Sequence, residues 1–363
     1  MKILIISLAG IGDTLFATPL IHELRANFPQ ATIDAFVLWP GAKDLLENNP
    51  HLNSVYQKNL LKAGALQSFA YLGELRRKGY DFSVSTHPQS KIEYRLVARL
   101  INATQRVSHR YDNHSWADHW LVNRTLAQNY DLPCIENNLA LLSFLGGKPK
   151  LSVHDYEVYL TQAELDWAQA YFSQHSLNGR ILLGIHSGSG GTKNLALRRW
   201  PVEAYAELIN RLTTRNPEIA TLIFGGPDEK DQIGSIMSKV ARSEAVFHPE
   251  TKSLRLTAAL IKNCSLFLSV DTALMHLAAA TKVPGQIIIE TPSWNKPIFP
   301  YNQRFAVVPN PSLGGKNLSY YRYDGRGIKA TADQIQSWMA SVTVDSVYDT
   351  VVRVARQLRP DQM

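Results

Sequence analysis

The sequence predicts an α/β protein with two doubly wound parallel sheets, each covered by helices on both faces. Three observations point there. Short apolar runs alternate with amphipathic stretches of helical spacing. The alternation lapses over residues 146–160, which hold Gly146-Gly147 and Lys148-Pro149-Lys150, and restarts at Arg180. Two strand–turn–helix units, far apart in the chain, each carry an acid at the turn. Open α/β sheets bind ligands at such turns, so two domains facing one cleft are expected.

In the first half, strands are expected at Lys2–Leu8, Thr32–Leu38, Ser54–Gln57, Phe82–Thr86 and Gln105–Ser108. Helices are expected at Thr14–Phe28, Ala42–Asn48, Leu66–Lys78, Ile92–Ile101 and Asn137–Leu145. Thr161–Ser176 reads as a junction helix: Thr161 caps it, Glu164 completes a capping box, and Leu165, Ala168 and Phe172 share a face. The second half offers strands at Arg180–Ile185, Ala220–Phe224, Ser265–Ser269 and Gln286–Glu290. Its helices fall at Val202–Arg215, Glu229–Ala241, Ser253–Lys262 and Thr272–Thr281. Residues 291–330, rich in Pro, Gly, Asn and Tyr, read as loops. Val344–Leu358 has helical spacing. The divisions are therefore 1–160, a linker helix over 161–179, a second domain over 180–340 and a C-terminal helix over 341–363.

The 363 residues suffice for two domains of ordinary size, and 45% hydrophobic with 19% charged content is a globular profile. No run approaches the ~18 apolar residues of a membrane span. Ile3 to Ile11 resembles a signal-peptide core, but Asp13 and a helix follow at once, so it reads as a strand. Two scattered cysteines, Cys134 and Cys264, make neither a disulfide framework nor a zinc site, and fit a reducing cytoplasm. The five-residue spacing of His109, His114 and His119 also argues against a metal. A net charge of +7 suits nucleic acid, an anionic membrane face or an acidic substrate. There is no Lys/Arg block or nucleic-acid motif, so nucleic acid is not expected.

Chemistry is expected at the turns. Ser269-Val270-Asp271-Thr272-Ala273-Leu274 leaves a buried strand and opens a helix whose first N–H groups and dipole make an anion site. Asp271 as a plain N-cap is the alternative. His276 lies inside that helix, either facing a ligand or simply packed. Ser187, Gly188 and Ser189 follow a strand and offer hydroxyls and N–H groups to phosphate, or are an ordinary Ser/Gly turn. At the N-terminus Gly10 and Gly12 permit close approach of substrate, and Asp13 is either a general base or a helix cap. A third glycine is missing, so a nicotinamide cofactor is a poor fit. Residues 87–91 follow a strand onto the cleft, and Arg95, Arg99, Arg106 and Arg110 follow either as cations for an anionic acceptor or as a solvated face.

The chain resembles glycosyltransferase family 9, the ADP-heptose–lipopolysaccharide heptosyltransferases. The resemblance rests on Ile11-Gly12-Asp13-Thr14, His186-Ser187-Gly188-Ser189, Leu197-Arg198-Arg199-Trp200-Pro201 and Ser269-Val270-Asp271-Thr272 with Met275-His276-Leu277. Phe224-Gly225-Gly226-Pro227-Asp228-Glu229 is a weaker fifth stretch, and together they span residue 1 to about residue 290. The resemblance implies the GT-B architecture: two Rossmann-like domains, an acceptor-binding first and a nucleotide-sugar-binding second, with the C-terminal helix packing back on the first. It implies an inverting, metal-independent transfer from a nucleotide sugar, ADP-linked, with no cofactor. Asp13 becomes the base. Asp271, Thr272, Ala273, Leu274 and His276 face the donor with Ser187, Gly188 and Ser189. Arg198 or Lys193 meets the diphosphate, and Glu229 the ribose hydroxyls, with Asp228 as competitor. Gly12, His87, Gln89 and Lys91 face the acceptor.

Some positions depart from the family. Ala273 stands where many relatives have Gly, and Arg198 where Lys is common. Pro133–Asn137 and Glu290–Trp294 depart on the acceptor side. The expected acceptor is lipopolysaccharide core or a related anionic envelope glycan, reached from the cytoplasm with peripheral contact at the inner membrane. A nucleotide-sugar epimerase or hydrolase of the same architecture, and a non-catalytic envelope-assembly protein, are the rival readings.

Overall fold

The computed structural model describes residues 1–116, 118–189, 195–319 and 326–358. The chain forms two compact units. The first is Met1–Tyr159 with Lys296–Tyr301; the second is Leu160–Asn295 with the chain from Asn302 onward.

The strands of the first unit are β1 (Lys2–Ser7), β2 (Thr32–Val37), β3 (Ser54–Gln57), β4 (Phe82–Ser85), β5 (Gln105–Arg110) and β6 (Arg124–Ala127). Its helices are α1 (Thr18–Asn27), α2 (Pro40–Leu46), α3 (Ala65–Arg77), α4 (Ile92–Ile101), α5 (Asp118–Leu121) and α6 (Cys134–Ala140). The sheet runs β3-β2-β1-β4-β5-β6, all parallel. Strand side chains alternate between faces, so β1 serves two cores. Ile3 and Ile5 pack with Leu20 and Leu24 of α1, while Leu4 and Ile6 pack with Leu72 and Leu75 of α3 and Ala98 of α4. The helix expected from Thr14 is divided. A 3-10 turn, Gly12–Ala17, precedes α1, which keeps Pro19 in its first turn, where a missing N–H is harmless. Strand β6 escaped the sequence reading because Arg124-Thr-Leu-Ala is a short edge with exposed ends.

The second unit holds β7 (Ile181–His186), β8 (Ile219–Phe224), β9 (Val246–Phe247), β10 (Leu266–Ser269), β11 (Gly285–Ile289) and β12 (Phe305–Val308). Its helices are α7 (Gln162–Gln174), α8 (Val202–Arg215), α9 (Lys230–Met237), α10 (Leu254–Ile261), α11 (Ala273–Ala280), α13 (Ala332–Ala340) and α14 (Val344–Leu358). The short α12 (Asn295–Ile298) lies where the chain passes to the 296–301 segment of the first unit. The sheet order is β12-β11-β10-β7-β8-β9, again parallel. Counted within its own unit, this repeats the 3-2-1-4-5-6 order of the first. In each sheet the sequential order of the strands reverses between two central strands, β1/β4 and β7/β10, and open sheets bind ligands at that crevice.

Two expectations about the divisions are corrected. The junction helix is α7. It has its capping box, and Glu164 also pairs with Arg255 of α10 at 2.5 Å, which makes the helix part of the second unit. The C-terminal helix does not cluster with the first unit: α14 packs on α8, β11 and β12, placing Val347, Val351 and Val354 in the second unit's core. Residues 291–330 contain α12 and β12 rather than loops alone; Phe305-Ala-Val-Val is a short apolar run hidden among turn formers. No helix among the described residues is long and apolar enough to cross a membrane.

Candidate active site

Asp13 sits just beyond β1, at the first unit's switch point. Its Oδ2 accepts the Gly10 N–H at 2.7 Å, and a Cβ on Gly10 would lie 2.8 Å from that oxygen. Thr14 closes the same loop, its hydroxyl donating to the Gly10 carbonyl at 3.3 Å. Asp13 is not a cap of α1, whose N-cap is Ala17. It braces its own turn and stays half-buried. The hydroxyl of buried Tyr156 is held above its ordinary pKa by burial first, then by Cys134 and the Asp13 charge.

Behind this turn lies a polar frame. The Gln89 Nε2 donates to the carbonyls of Ile6 and Thr86 at 2.6 and 2.7 Å, and its Oε1 accepts the Leu8 N–H at 3.2 Å. It thus ties the ends of β1 and β4 together. His87 hydrogen-bonds the Tyr111 hydroxyl through Nδ1 at 2.9 Å, and Asn138 bridges the backbone of His87 and Phe16. His87 and Gln89 are each 2% exposed. Burial drives the His87 imidazole well below its ordinary pKa, with His109 second, so it stays neutral. Gly12 is buried, and Lys91 is exposed at the N-cap of α4. Arg95 is not on a solvated face; it forms a buried pair with Asp118 at 2.5 Å.

In the second unit, the N-cap of α11 is Thr272, whose Oγ1 accepts the Met275 N–H at 3.3 Å. The capping role considered for Asp271 is therefore taken by its neighbour. Asp271 instead receives Arg198 Nη1 at 2.8 Å, and its other oxygen lies 4.0 Å from His276 Nε2. Ala273 and Leu274 form the first turn of α11. Burial lowers His276 to about 4, against the opposing pull of Asp271.

The turn after β7 faces the same switch point. His186 Nδ1 hydrogen-bonds the Thr272 hydroxyl at 2.9 Å, and its Nε2 is 3.5 Å from Glu229 Oε1. Glu229 also accepts the Gly226 N–H at 2.7 Å. Burial opposes its ionisation, yet His186, that N–H and Arg199 hold the carboxyl below the usual range. A Cβ on Gly188 would stand 2.1 Å from Glu229 Oε1, so glycine there is what admits the carboxylate. Arg199 donates to the Ser189 carbonyl at 2.6 Å and to Gln232 at 2.7 Å, and Gln232 donates to the Ser187 carbonyl at 2.8 Å. Ser187, Gly188 and Ser189 are thus pinned from outside. Asp228, the competitor of Glu229, is exposed. Lys193 lies outside the described residues.

The structure therefore joins Ser187–Ser189, Arg198, Glu229, Asp271, Thr272 and His276 in one network. His186, Arg199 and Gln232 belong to it without having been assigned roles from sequence. Each left a trace: His186 is a polar residue ending a buried strand, and Arg199 is the second cation before Trp200. Trp200 is structural, its indole donating to the Val342 carbonyl at 2.8 Å.

Among the described residues one grouping has the composition of a metal site: His22, His51 and Glu157. Their ligand atoms lie within 4.8 Å of one another, and the two rings stack at 3.8 Å and 16°. His22 already bonds Glu157 at 2.7 Å, and His51 bonds Tyr159 at 2.9 Å.

A sequence model described as glycosyltransferase family 9 (heptosyltransferase) matches residues 69–319. Lipopolysaccharide heptosyltransferase 3 of Escherichia coli is 26% identical over 288 residues, 75% of this chain and 78% of its own. Lipooligosaccharide heptosyltransferase 2 of Haemophilus ducreyi is 26% identical over 376 aligned residues, with 99% of each chain covered. Among solved structures, the E. coli ADP-heptose lipopolysaccharide heptosyltransferase II superposes with a TM-score of 0.71 at 20% identity, covering 98% of this chain and 99% of that one.

Proposed function

The chain belongs to glycosyltransferase family 9 and is a glycosyltransferase; from that premise we propose that it moves a heptose from ADP-heptose to a hydroxyl of a lipopolysaccharide core or related envelope glycan. The transfer is an inverting, metal-independent single displacement. The acceptor oxygen attacks the anomeric carbon, Asp13 takes the hydroxyl proton, and the bond to the diphosphate breaks, with ADP leaving. Asp13 is suited to this because its turn is braced through Gly10 and Thr14, so its orientation precedes substrate.

The departing diphosphate carries about two negative charges that need preorganised donors. The first N–H groups of α11, at Ala273 and Leu274, and the hydroxyls of Ser187 and Ser189 supply them; Lys193, outside the described residues, is assigned to the same phosphates. Arg198 acts through its pair with Asp271, which positions that carboxylate toward the donor sugar. Glu229 receives the ribose hydroxyls, a carboxylate being able to accept from both. His276 supports Asp271 as a neutral imidazole. Gly12, His87, Gln89 and Lys91 serve the acceptor side, with Lys91 in contact and His87 and Gln89 as framework. The enzyme works in the cytoplasm, peripherally at the inner face of the membrane, without a cofactor or nucleic acid.

The observation that carries the reading is positional. Asp13, Ser187–Ser189 and Asp271–Thr272 all follow central strands at the two switch points of sheets with the same order. The test is a thermal-shift titration with ADP, UDP, GDP and CMP, with and without Mg²⁺. A ligand at ~100 times its Kd adds about 2.7 kcal/mol of stability. Selective stabilisation by ADP without Mg²⁺ is expected. A preference for UDP or GDP overturns the donor, and no response to any nucleotide overturns the transferase reading of the second unit.

A further inference from the structure

We propose that the α3–α5 face of the first unit docks on an anionic bilayer surface. Of the twelve large apolar side chains exposed among the described residues, seven fall between residues 61 and 120. That concentration is not the scatter expected of an ordinary surface. Leu66 and Phe69 stand out from α3, Ile92 and Leu96 from α4, and Trp116 and Trp120 from α5 and its lead-in. Helix α4 packs against both α3 and α5, which makes these elements neighbours. The inward side of α4 is already supplied by Val97, Ala98 and Ile101, so Ile92 and Leu96 are surplus to the core.

The indoles are held outward on a braced element. Asp118 pairs with Arg95 and accepts the Ser115 N–H, while Arg95 and Asn113 both donate to the Ser90 carbonyl. Trp116 and Trp120 are 80% and 72% exposed. Exposed indoles beside aliphatic side chains suit the interface of a bilayer, where one end of the ring is dry and the other wet.

Charge selects the kind of bilayer. Residues 61–124 hold ten Lys/Arg against five Asp/Glu, most of the chain's +7 excess. Lys62, Arg76, Arg77 and Arg99 are exposed. Cations near a membrane are attracted by anionic headgroups and lose that attraction in salt. The surface deepens the reading of a lipid-anchored acceptor, and rests on it for its purpose: docking would present the first unit to a substrate confined to the membrane.

The experiment is co-sedimentation of the full chain with vesicles of phosphatidylcholine alone and of phosphatidylcholine with phosphatidylglycerol, with tryptophan emission followed in parallel. The wild type partitions onto the mixed vesicles with a blue shift, and high salt weakens it. Trp116→Ser with Trp120→Ser lowers the partition by about tenfold, because binding scales with buried apolar area. Arg76→Glu with Arg77→Glu lowers it on mixed vesicles only. Thermal shift by ADP is measured in each variant and stays at the wild-type value, which separates the surface from the donor site. Wild-type protein that ignores mixed vesicles, or a tryptophan variant that binds like wild type, overturns the proposal. So does a wild-type dimer that these substitutions split, since a second copy would then cover the face. Vesicle binding with no ADP response refutes the functional reading and leaves the surface standing.

Discussion

Gly188→Ala is the sharpest test of the network around Glu229. The added Cβ would lie 2.1, 2.3 and 2.7 Å from Oε1, Cδ and Cγ of Glu229. Gly188 is absent from the positive-φ glycines of the described residues, so the effect is steric rather than conformational. Relief requires Glu229 to leave, yet the Gly226 N–H holds it at 2.7 Å and His186 stands at 3.5 Å. Losing a charged hydrogen bond costs about 1.5–3 kcal/mol, and overpacking costs about 1–3 kcal/mol when the site cannot yield. A net loss of about 2–4 kcal/mol follows, or about 5–15 °C in the Tm of a unit this size. Differential scanning calorimetry reads the stability, and calorimetric ADP titration tests the ribose contact proposed for Glu229. The control is Glu229→Ala, which removes all three clashing atoms. In that background Gly188→Ala should be nearly neutral, a coupling of at least about 2 kcal/mol. Equal cost in both backgrounds would show that Glu229 does not fill the space beside Gly188, and the reasoning would fail.

Asp13→Asn keeps an oxygen for the Gly10 N–H but removes the proposed base, so kcat should fall by about 10²–10⁴-fold while the ADP thermal shift persists; activity near wild type would dismiss Asp13. Arg198→Met leaves the half-buried Asp271 carboxylate without its cation, and urea unfolding should register about 1–3 kcal/mol, with Asp271→Asn recovering part of it. His276 and His109, both lowered to about 4 by burial, take up protons on unfolding between about pH 4 and 6.5. Their folded pKa values lie below the unfolded value, so stability is full above about pH 6.5 and drains as pH falls toward 4, by about 1.4 kcal/mol per unit per group. His276→Gln should flatten that slope by about one proton; an unchanged slope would mean His276 is not buried neutral. Finally, EDTA should leave transfer intact and the product should carry the inverted anomeric configuration by NMR; a retained configuration would exclude single displacement.

Much of this was legible in the chain because parallel strands buried on both faces are near-continuous apolar runs. Ile3–Ile6, Ile181–Ile185 and Leu266–Leu268 announce themselves. The polar residues that follow them mark the switch points for the same reason: a buried strand ends where polarity returns. Edge elements were harder. β6, β9 and β12 are short and gain order from one neighbouring strand, which leaves little periodicity to read. The partnerships within the site were also hidden. Thr272 rather than Asp271 caps α11, and Arg198 faces a carboxylate 73 positions away. Such choices depend on which loops the sheet order brings together, and local spacing carries no trace of that.

The first unit is not contiguous in the chain. It draws Lys296–Tyr301 from beyond β11, and within it the Tyr301 hydroxyl donates to Glu136 of α6 at 3.1 Å. On a ribosome, β1 to β6 emerge and pair while that segment does not yet exist. The nascent first unit therefore waits, without its last piece, until most of the second has been made. A chain cut after Tyr159 would reproduce this waiting state permanently, and a permuted chain supplying residues 296–301 early would abolish it.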